Sequence, residues 1–272
     1  MTTAINESAS NATSGTTILA AAPLLQIDGA VATITLRRPA THNRIESEDV
    51  PMLRGYLHQL NANAAVRVIV FASTGKSFSS GFDLSQLGAA ATATTGENQF
   101  EQLCDEIENA RAVTIAKLHG PVYGGSTDVT LACDFRLGVR GMRMFMPAAR
   151  LGLHYYGHGI RRWVSRLGLG AAKKLFLTAR PIDGEEMLRI GFLDALVEPG
   201  ALDAELATWV AELLSMAPIP LVSMKVTLNE TARGQYDEQA ASAAAEASLK
   251  TRDISEALAA FAEHRTPRFT GS

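Results

Sequence analysis

The sequence predicts an α/β fold in which parallel β-α units form most of the chain and helices form its C-terminal end. From about residue 24, short strands rich in β-branched residues alternate with helical stretches, as in VATITL at 31–36 and VRVIVFA at 66–72. Such alternation is typical of parallel β-α units. From Asp203 onward the pattern is helical almost throughout. No internal repeat of about 20 to 50 residues is apparent.

The composition divides the chain into three parts. Residues 1–22 are rich in Thr, Ser, Ala and Asn and have no hydrophobic period, which predicts a flexible N-terminal tail. Residues 23–200 form the predicted β-α core, and residues 201–272 form the C-terminal helical region. Within the core, the low-complexity segment 88–96 predicts a mobile loop.

Each element is predicted from its local pattern. Apolar runs with β-branched residues predict strands, a 3.6-residue apolar period predicts helices, and proline is tolerated in the first turn of a helix. In chain order we predict a strand at Val31–Leu36, a helix at Val50–Leu60, strands at Val66–Ala72 and Ile115–His119, a helix after Gly125, a helix opened by Pro218 and Pro220, and a helix at Thr251–Ala262.

Composition and charge exclude several classes of protein. The chain has 272 residues, 47% of them hydrophobic, and a formal net charge of −3, which is typical of a protein that buries a large core. There is no basic excess for nucleic acid, no apolar run of the roughly 18 residues that a membrane span needs, and no signal peptide in residues 1–22. We expect a cytoplasmic protein without a nucleic-acid or membrane partner, with Cys104 and Cys133 as buried reduced thiols.

The segment HGPVYGGSTD at 119–128 carries the clearest chemical pattern. It predicts a strand, a glycine turn and a buried helix with one carboxylate in its first turn. Gly124 and Gly125 allow backbone N–H groups to approach a ligand oxygen, and the helix N-terminus adds positive charge there. Asp128 follows Gly125 by three residues, which is the spacing for a base beside a ligand held by that N–H.

A second junction lies upstream in FSSGFDL at 78–84. It follows the predicted strand 66–72 and contains Gly81 between a strand end and a loop. The backbone N–H of Phe82 is therefore a candidate for a second donor to the same oxygen.

The two blocks resemble the crotonase (enoyl-CoA hydratase/isomerase) superfamily in order and spacing. Its usual patterns are F-C-A-G-A-D-L and N-G-x-x-x-G-G-G-x-E-L-x-x-x-C-D. The resemblance continues in VATITLRRP at 31–39 with Asn43, and in AFAEHRTP at 260–267. It implies a ClpP/crotonase-like spiral of β-α units with a C-terminal helical trimerisation region, and a homotrimer or a hexamer built as a dimer of trimers.

The resemblance also implies a ligand and the residues that hold it. The ligand is an acyl-CoA thioester, so coenzyme A is part of the substrate and no separate cofactor or metal is expected. Phe82 and Gly125 correspond to the oxyanion hole, and Asp128 corresponds to the first catalytic acid with a shorter side chain. The positions that correspond to substrate-binding residues are Ser80, Gly81, Asp83, Leu84, Gly124 and Ala148.

The sequence departs from the family at the second catalytic acid. The family pattern F-G-x-P-E-x-x-x-G places a glutamate where FMPAARLG at 145–152 has Ala148, and alanine can neither activate water nor donate a proton. The family's I-P-G-x-G-G is replaced by HYYGHG at 154–159. Either these side chains fill space and face solvent, or a group of this loop replaces the glutamate. The candidates are His154, Tyr156 and His158.

Several functions stay open at this stage. Asp128 is the expected principal acid/base, and hydration of a 2-enoyl thioester is the leading hypothesis. Double-bond isomerisation of an enoyl or dienoyl thioester is the alternative, because one base can shuttle one proton between two carbons. Hydrolysis of a β-diketone is a third option, and an acyl-CoA-binding relative with weakened catalysis belongs to another class. Candidate partners for coenzyme A phosphates are Arg37, Arg38, Arg44, Arg265 and Arg268.

Overall fold

The computed structural model describes residues 21–83 and 98–272. Leu84, the segment 88–96 and the tail up to residue 20 lie outside the described residues. The strands are β1 (Leu24–Asp28), β2 (Val31–Leu36), β3 (Val68–Ser73), β4 (Val113–Leu118), β5 (Val122–Tyr123), β6 (Phe135–Val139), β7 (Arg143–Phe145), β8 (Ile182–Asp183) and β9 (Ala195–Val197). The helices are α1 (Asp49–Ala62), α2 (Gln99–Glu108), α3 (Gly125–Ala132), α4 (Gly157–Thr178), α5 (Gly184–Arg189), α6 (Leu202–Ser215), α7 (Pro218–Ala232), α8 (Glu238–Ser248) and α9 (Arg252–Ala262).

The larger sheet has six strands in the order β1-β2-β3-β4-β6-β9. Neighbours from β2 to β9 pair in parallel, which confirms the predicted β-α units. Strand β1 pairs antiparallel with β2 and is a sheet edge that the sequence pattern did not indicate. Its last three residues are exposed, so LLQID shows no buried run. The smaller sheet joins β5, β7 and β8.

The central strands owe their stability to burial on both faces. Val68, Ile69, Val70 and Phe71 of β3 are all buried, as expected for a parallel strand that is covered by helices. The predicted strands and helices in this region are confirmed with ends that match or are shifted by at most two residues. The side chain of Asn43 closes the loop after β2 by donating to the carbonyls of Thr74 and Ser77 at 2.6 and 2.8 Å.

Helix α2 brings acidic side chains to the centre of the molecule. Asn98 caps its first turn by accepting hydrogen bonds from the N–H groups of Phe100 and Glu101. Its buried apolar side chains follow helical spacing: Phe100, Leu103, Cys104 and Ile107. The same helix carries Asp105, and it ends at Glu108, which is also buried.

Helix α3 is enclosed on all sides. Every residue from Ser126 to Ala132 is buried, including Asp128 in the first turn. A helix buried all round carries an ionisable side chain only where other groups compensate it. The helix therefore fixes Asp128 inside the protein and away from bulk water.

The C-terminal region is helical, as predicted, and α7 begins at Pro218. Lys225 of α7 reaches the core, donates to the carbonyl of Ala112 and pairs with Asp134 at 2.6 Å. Large apolar side chains of this region are left exposed: Leu249 at 69%, Leu258 at 65% and Phe261 at 83%.

Two further predictions can be compared with the structure. Cys104 and Cys133 are free and buried, as predicted, and burial raises the pKa of the Cys133 thiol to about 12. Within the described ranges, no single helix has the length and apolar character of a membrane span. The pair Pro199–Ser215 and Pro218–Ala232 reaches them only together and is bent by 106°.

Candidate active site

Two glycine turns bring the backbone N–H groups of Phe82 and Gly125 side by side. Gly81 has φ +97°, and a Cβ atom there would lie 2.8 Å from the Tyr123 carbonyl oxygen and 2.9 Å from the Gly125 nitrogen. Gly124 has φ +56° and ψ −133°, a conformation that is accessible almost only to glycine. Only glycine is accommodated at either position, so the alignment of the two N–H groups depends on Gly81 and Gly124.

Among the described residues, neither of these N–H groups donates to a backbone carbonyl. The strand-like contact of Phe82 with Ile45 uses the flanking groups, since Ile45 donates to the Gly81 carbonyl and Asp83 donates to the Ile45 carbonyl. A Cβ atom on Gly125 would lie 3.5 Å from the Phe82 nitrogen. Within the described part of the chain, neither the Phe82 nor the Gly125 N–H donates a hydrogen bond. The pair, at the N-terminus of α3, can hold an anionic oxygen.

Asp128 lies one helical turn beyond Gly125 and is fully buried. Its Oδ2 accepts a hydrogen bond from the Tyr156 hydroxyl at 2.7 Å and another from Arg162 Nη1 at 2.6 Å. Its Oδ1 is buried and has no hydrogen-bond partner among the described residues. One oxygen of the carboxylate is thus held, and the other is open in the sense that it has no hydrogen-bond partner among the described residues.

Tyr156 stands at the N-terminus of α4 and stacks on Tyr155, with ring centroids 4.2 Å apart. Tyr155 donates its hydroxyl proton to the Tyr156 oxygen at 3.0 Å, and the Cys104 Sγ atom lies 3.5 Å from that oxygen. Burial, followed by the charge of Asp128, raises the pKa of both tyrosines well above the ordinary value. Both hydroxyls therefore stay protonated near neutral pH, and Tyr156 acts as a donor to Asp128.

Arg162 is a fully buried arginine of α4 that sequence reasoning missed. Its Nη2 donates to Asp105 Oδ1 at 2.7 Å, and its Nε lies 3.3 Å from Glu108 Oε1. Burial by itself would lower the pKa of Arg162, but the negative charges around it, Asp128 first, raise the pKa above its ordinary value. The guanidinium therefore stays charged.

Glu108 gathers further arginines around its buried carboxylate. Arg233 of α7 lies 2.7 Å from Oε2, while Arg166 lies 3.3 Å from Oε1 and Arg161 lies 3.5 Å from Oε2. Burial pushes the pKa of Glu108 up, but Arg162, Arg166 and Arg233 outweigh burial, so the net pKa is lowered. This group of charges ties the C-terminal helices to the region beneath Asp128.

The three candidates from the HYYGHG loop lie in different places. Tyr156 contacts Asp128, whereas His154 and His158 are exposed. His154 Nδ1 lies 2.8 Å from the carbonyl oxygen of Tyr155, and His158 Nδ1 lies 2.5 Å from Asp105 Oδ2. In the part of the chain that the structure describes, His158 is connected to Asp128 through Asp105 and Arg162. A role for either histidine stays a prediction.

The predicted substrate-binding positions surround the glycine turns. Ser80 donates its hydroxyl to the Thr41 carbonyl at 3.2 Å, and Asp83 lies 3.4 Å from Arg44. Ala148 is buried in the 3₁₀ turn Ala148–Leu151, and its carbonyl accepts from the N–H of Leu153 at 2.9 Å. Its side chain brings no polar atom to the site.

An aromatic wall joins the two halves of the site. The ring of Phe100 lies 5.4 Å from that of Phe82 and 6.3 Å from that of Tyr156, measured between centroids. A Cβ atom on Gly125 would lie 2.9 Å from Phe100 Cζ. The N–H pair and the Asp128 carboxylate are therefore linked by one apolar surface, which is suited to an apolar acyl group.

The side chains of four of the five arginines considered as partners for phosphate have partners within the chain. Arg37 donates to the Ala22 carbonyl at 3.0 Å, and Arg38 pairs with Asp49. Arg44 pairs with Glu46 at 2.9 Å, and Arg265 pairs with Glu256 at 2.6 Å. Arg265 and Arg268 both line a surface cavity of about 650 Å³. Within residues 21–83 and 98–272, no group of three or more His, Cys, Asp or Glu side chains could hold a metal ion.

Comparison with known proteins gives a consistent result. The model of the family described as Enoyl-CoA hydratase/isomerase matches residues 26–272. The chain is 28% identical over 251 residues to the short-chain-enoyl-CoA hydratase of Clostridium acetobutylicum, covering 89% of this chain and 95% of that protein. It is 32% identical over 256 residues to the human mitochondrial enoyl-CoA hydratase domain-containing protein 2, covering 90% and 87%. The crystal structure of an enoyl-CoA hydratase from Bacillus anthracis is similar with a TM-score of 0.82 at 26% identity, covering 92% of this chain and 99% of that one.

Proposed function

Because the chain belongs to the enoyl-CoA hydratase/isomerase family, we propose that it adds water to the double bond of a 2-enoyl-CoA thioester. The observation that carries this proposal is the N–H pair of Phe82 and Gly125, which donates no hydrogen bond within the described residues, together with the open Oδ1 of Asp128 one helical turn further on. The relative from Clostridium acetobutylicum, named as a short-chain-enoyl-CoA hydratase, supports the same reaction.

The N–H pair serves the thioester carbonyl. As water adds to the β carbon, the electron pair of the double bond moves toward the thioester oxygen, which becomes enolate-like. Two N–H groups aimed at that oxygen stabilise it more than they stabilise the uncharged carbonyl. Losing one such donor typically raises the barrier by about 3 to 4 kcal/mol.

Asp128 transfers the proton. Its Oδ1 takes one proton from water as the water oxygen bonds to the β carbon, and the same proton then passes to the α carbon as the enolate collapses. Tyr156 and Arg162 occupy Oδ2 through both steps. Because Ala148 occupies the second acid position, the Asp128 carboxyl group both removes the proton from water and delivers it to the α carbon.

Double-bond isomerisation is a second candidate. The observation in its favour is the single open carboxylate oxygen, since moving one proton from the α or γ carbon to another carbon needs one base and no water. An aspartate at this position also resembles the dienoyl-CoA isomerases of the family. Hydration and isomerisation share the N–H pair and Asp128 and differ only in whether water enters.

We also propose that the protein assembles as a homotrimer or as a dimer of trimers. The exposed apolar side chains Leu249, Leu258 and Phe261 of the C-terminal region support this assembly, because an apolar surface of that kind is usually covered by another chain. We further propose a cytoplasmic location, on the composition of the chain and the bacterial relative.

Turnover assays test the proposed reaction. Wild type is incubated with crotonyl-CoA and with 3-enoyl and 3,5-dienoyl thioesters, and each is repeated with Asp128→Asn. We expect hydration of crotonyl-CoA, reduced by about 10² to 10⁴-fold in the variant. The matched control is Asp203→Asn, because Asp203 is an exposed aspartate of α6.

Each other result has a defined meaning. Turnover only on the 3-enoyl or dienoyl thioester identifies an isomerase. Activity that survives Asp128→Asn removes Asp128 as the acid/base. Binding of every thioester without turnover identifies an acyl-CoA-binding relative with weakened catalysis, and hydration is then overturned.

A further inference from the structure

Arg162 is fully buried and contacts Asp128, yet the proposed reaction gives it no proton to carry. Burying a guanidinium group costs several kcal/mol unless carboxylates and hydrogen bonds compensate it. Arg162 has three carboxylates around it, on two different helices: Asp105, Glu108 and Asp128.

The contacts of Arg162 fix the guanidinium plane. Nη1 faces α3 and donates to Asp128 at 2.6 Å, while Nη2 faces α2 and donates to Asp105 at 2.7 Å. The Nε edge lies 3.3 Å from Glu108, which Arg166 and Arg233 hold in turn. A planar fork held at both ends cannot rotate without breaking one of these contacts.

The consequence for Asp128 is an asymmetric carboxylate. Oδ2 has two donors, Arg162 and Tyr156, and their positions define the rotation of the carboxylate about its last bond. Oδ1 is buried with no partner among the described residues, although a buried carboxylate oxygen normally has one. An open acceptor of this kind points to a donor brought by a ligand.

We propose that Arg162 is a positioning residue for proton transfer, which holds Oδ2 of Asp128 so that Oδ1 alone exchanges the proton with water or substrate. The inference rests on the proposed function, because it needs Asp128 to be the acid/base. Arg162 keeps its own proton throughout and acts only through Asp128.

The groups around Asp128 and Arg162 predict how the activity of an Arg162 variant depends on pH. The titratable and charged groups that face it are Cys104, Asp105 and Glu108 from α2, and Tyr155 and Tyr156 before α4. Without Arg162, Asp128 would be buried beside these two carboxylates with no cation on Oδ2. Burial and like charge both favour the protonated acid, which cannot act as a base.

The test compares Arg162→Met with Arg162→Lys and with the control Arg161→Gln. Arg161 is the preceding residue of the same helix and approaches Glu108 at 3.5 Å only. The assay follows hydration of crotonyl-CoA, or turnover of another thioester if the wild type prefers it. We expect Arg162→Met to lower kcat about 100-fold and to change KM by less than about threefold. We expect the acid limb of its pH profile to move to higher pH, added guanidinium to restore part of kcat, and Arg161→Gln to match wild type.

A purely structural role gives a different pattern. It would lower the melting temperature without moving the acid limb, and guanidinium would not restore kcat; that result overturns the proposal, as does a folded Arg162→Met with the wild-type kcat and pH profile. Should Arg162→Met fail to fold, Arg162→Lys carries the test, because an ammonium cannot bridge both carboxylates in the same plane. An unchanged kcat and pH profile in Arg162→Lys then overturns the proposal.

Asp128→Asn separates this inference from the proposed function. If Asp128→Asn keeps full activity, the acid/base assignment fails whatever Arg162 does. If Asp128→Asn is inactive and Arg162→Met behaves as wild type, only the positioning role fails. When both roles hold, the double variant is no less active than Asp128→Asn alone, since Arg162 acts through a carboxylate that is already absent.

Discussion

The N–H pair and the Asp128 carboxylate are linked by the ring contacts of Phe82, Phe100 and Tyr156, but the protein holds them in different ways. Phe82 and Gly125 are aligned by glycine turns, so their geometry depends on backbone and on the absence of Cβ atoms. Asp128 is aligned by side chains from α4, which are themselves held from α2. The first half is sensitive to added volume, and the second is sensitive to removed charge.

Among variants that leave the Asp128 carboxylate in place, the largest effect is expected from adding one methyl group at Gly81. Gly81→Ala places a Cβ 2.9 Å from the Gly125 nitrogen, so the two N–H groups must separate. We expect kcat/KM to fall by about 10² to 10³-fold, the usual cost of losing one oxyanion donor. Steady-state kinetics on the preferred thioester measure it.

The control for backbone strain is Gly141→Ala. Gly141 also has a positive φ, +83°, but a Cβ atom there meets nothing within 4 Å. It should lose stability by roughly 1 kcal/mol and keep its kcat. Equal activity in the two variants would contradict the assignment of Phe82 and Gly125 as the oxyanion donors.

The sequence could predict this half of the site because its pattern is local. Gly81 stands next to Phe82, and Gly124 next to Gly125, so a glycine turn at a strand end already indicates which N–H groups are free. The other half is not local, since Arg162 lies 34 positions from Asp128 and its burial depends on how α4 packs. The available signal was Arg162 beside Trp163 on a helix, together with a carboxylate inside an apolar helix, which requires a cation.

The next prediction concerns the free energy of unfolding and the charged groups around Glu108. Glu108→Gln leaves Arg162, Arg166 and Arg233 without their shared carboxylate, and breaking a buried pair in this way costs about 3 to 5 kcal/mol of unfolding free energy at neutral pH. Glu106→Gln on the same helix is the control: Glu106 pairs with Arg54 nearer the surface and should cost under about 1 kcal/mol. Urea unfolding followed by circular dichroism measures both.

The pH dependence of that loss has a definite sign. The pKa of Glu108 is lowered in the folded protein, so the unfolded chain takes up the proton first as pH falls. The stabilisation by Glu108 is therefore complete above the ordinary glutamate pKa of about 4.3 and is lost as pH falls through the folded value. The difference between wild type and Glu108→Gln should shrink over that range, and a constant difference would contradict the charge-based explanation.

A moderate effect on activity is expected from Tyr156→Phe. The variant removes one donor from Asp128 Oδ2 and leaves Arg162 in place. A hydrogen bond to a charged group contributes about 1.5 to 3 kcal/mol, so we expect kcat to fall about tenfold or more. Tyr155→Phe is the matched control, because its hydroxyl donates to Tyr156 and does not contact Asp128. A larger loss in Tyr155→Phe would reverse the order of the two tyrosines.

The fold shows the same division between local and long-range information. Strand β2, whose side chains alternate in burial, and helix α7, with proline at its start, were predicted from local pattern. Strand β1 was missed, since its second half is exposed. Helix α2 supplies the carboxylates that hold Arg162, and this contact between distant parts of the chain has no local sequence pattern.

The smallest effect on kcat is expected from substitution of His154 and His158. These variants test whether exposed side chains around Asp105 contribute to catalysis as the buried contacts of Asp128 do. His154→Ala and His158→Gln alter exposed side chains, of which one contacts the Tyr155 carbonyl and the other Asp105. A surface contact contributes under about 1 kcal/mol, so kcat should change less than about threefold near neutral pH. Rates measured from pH 5 to 9 test this. If His158→Gln instead lowers kcat as much as Tyr156→Phe, then the proton path runs outward through Asp105, and Asp128 shares its task with a histidine that it does not contact.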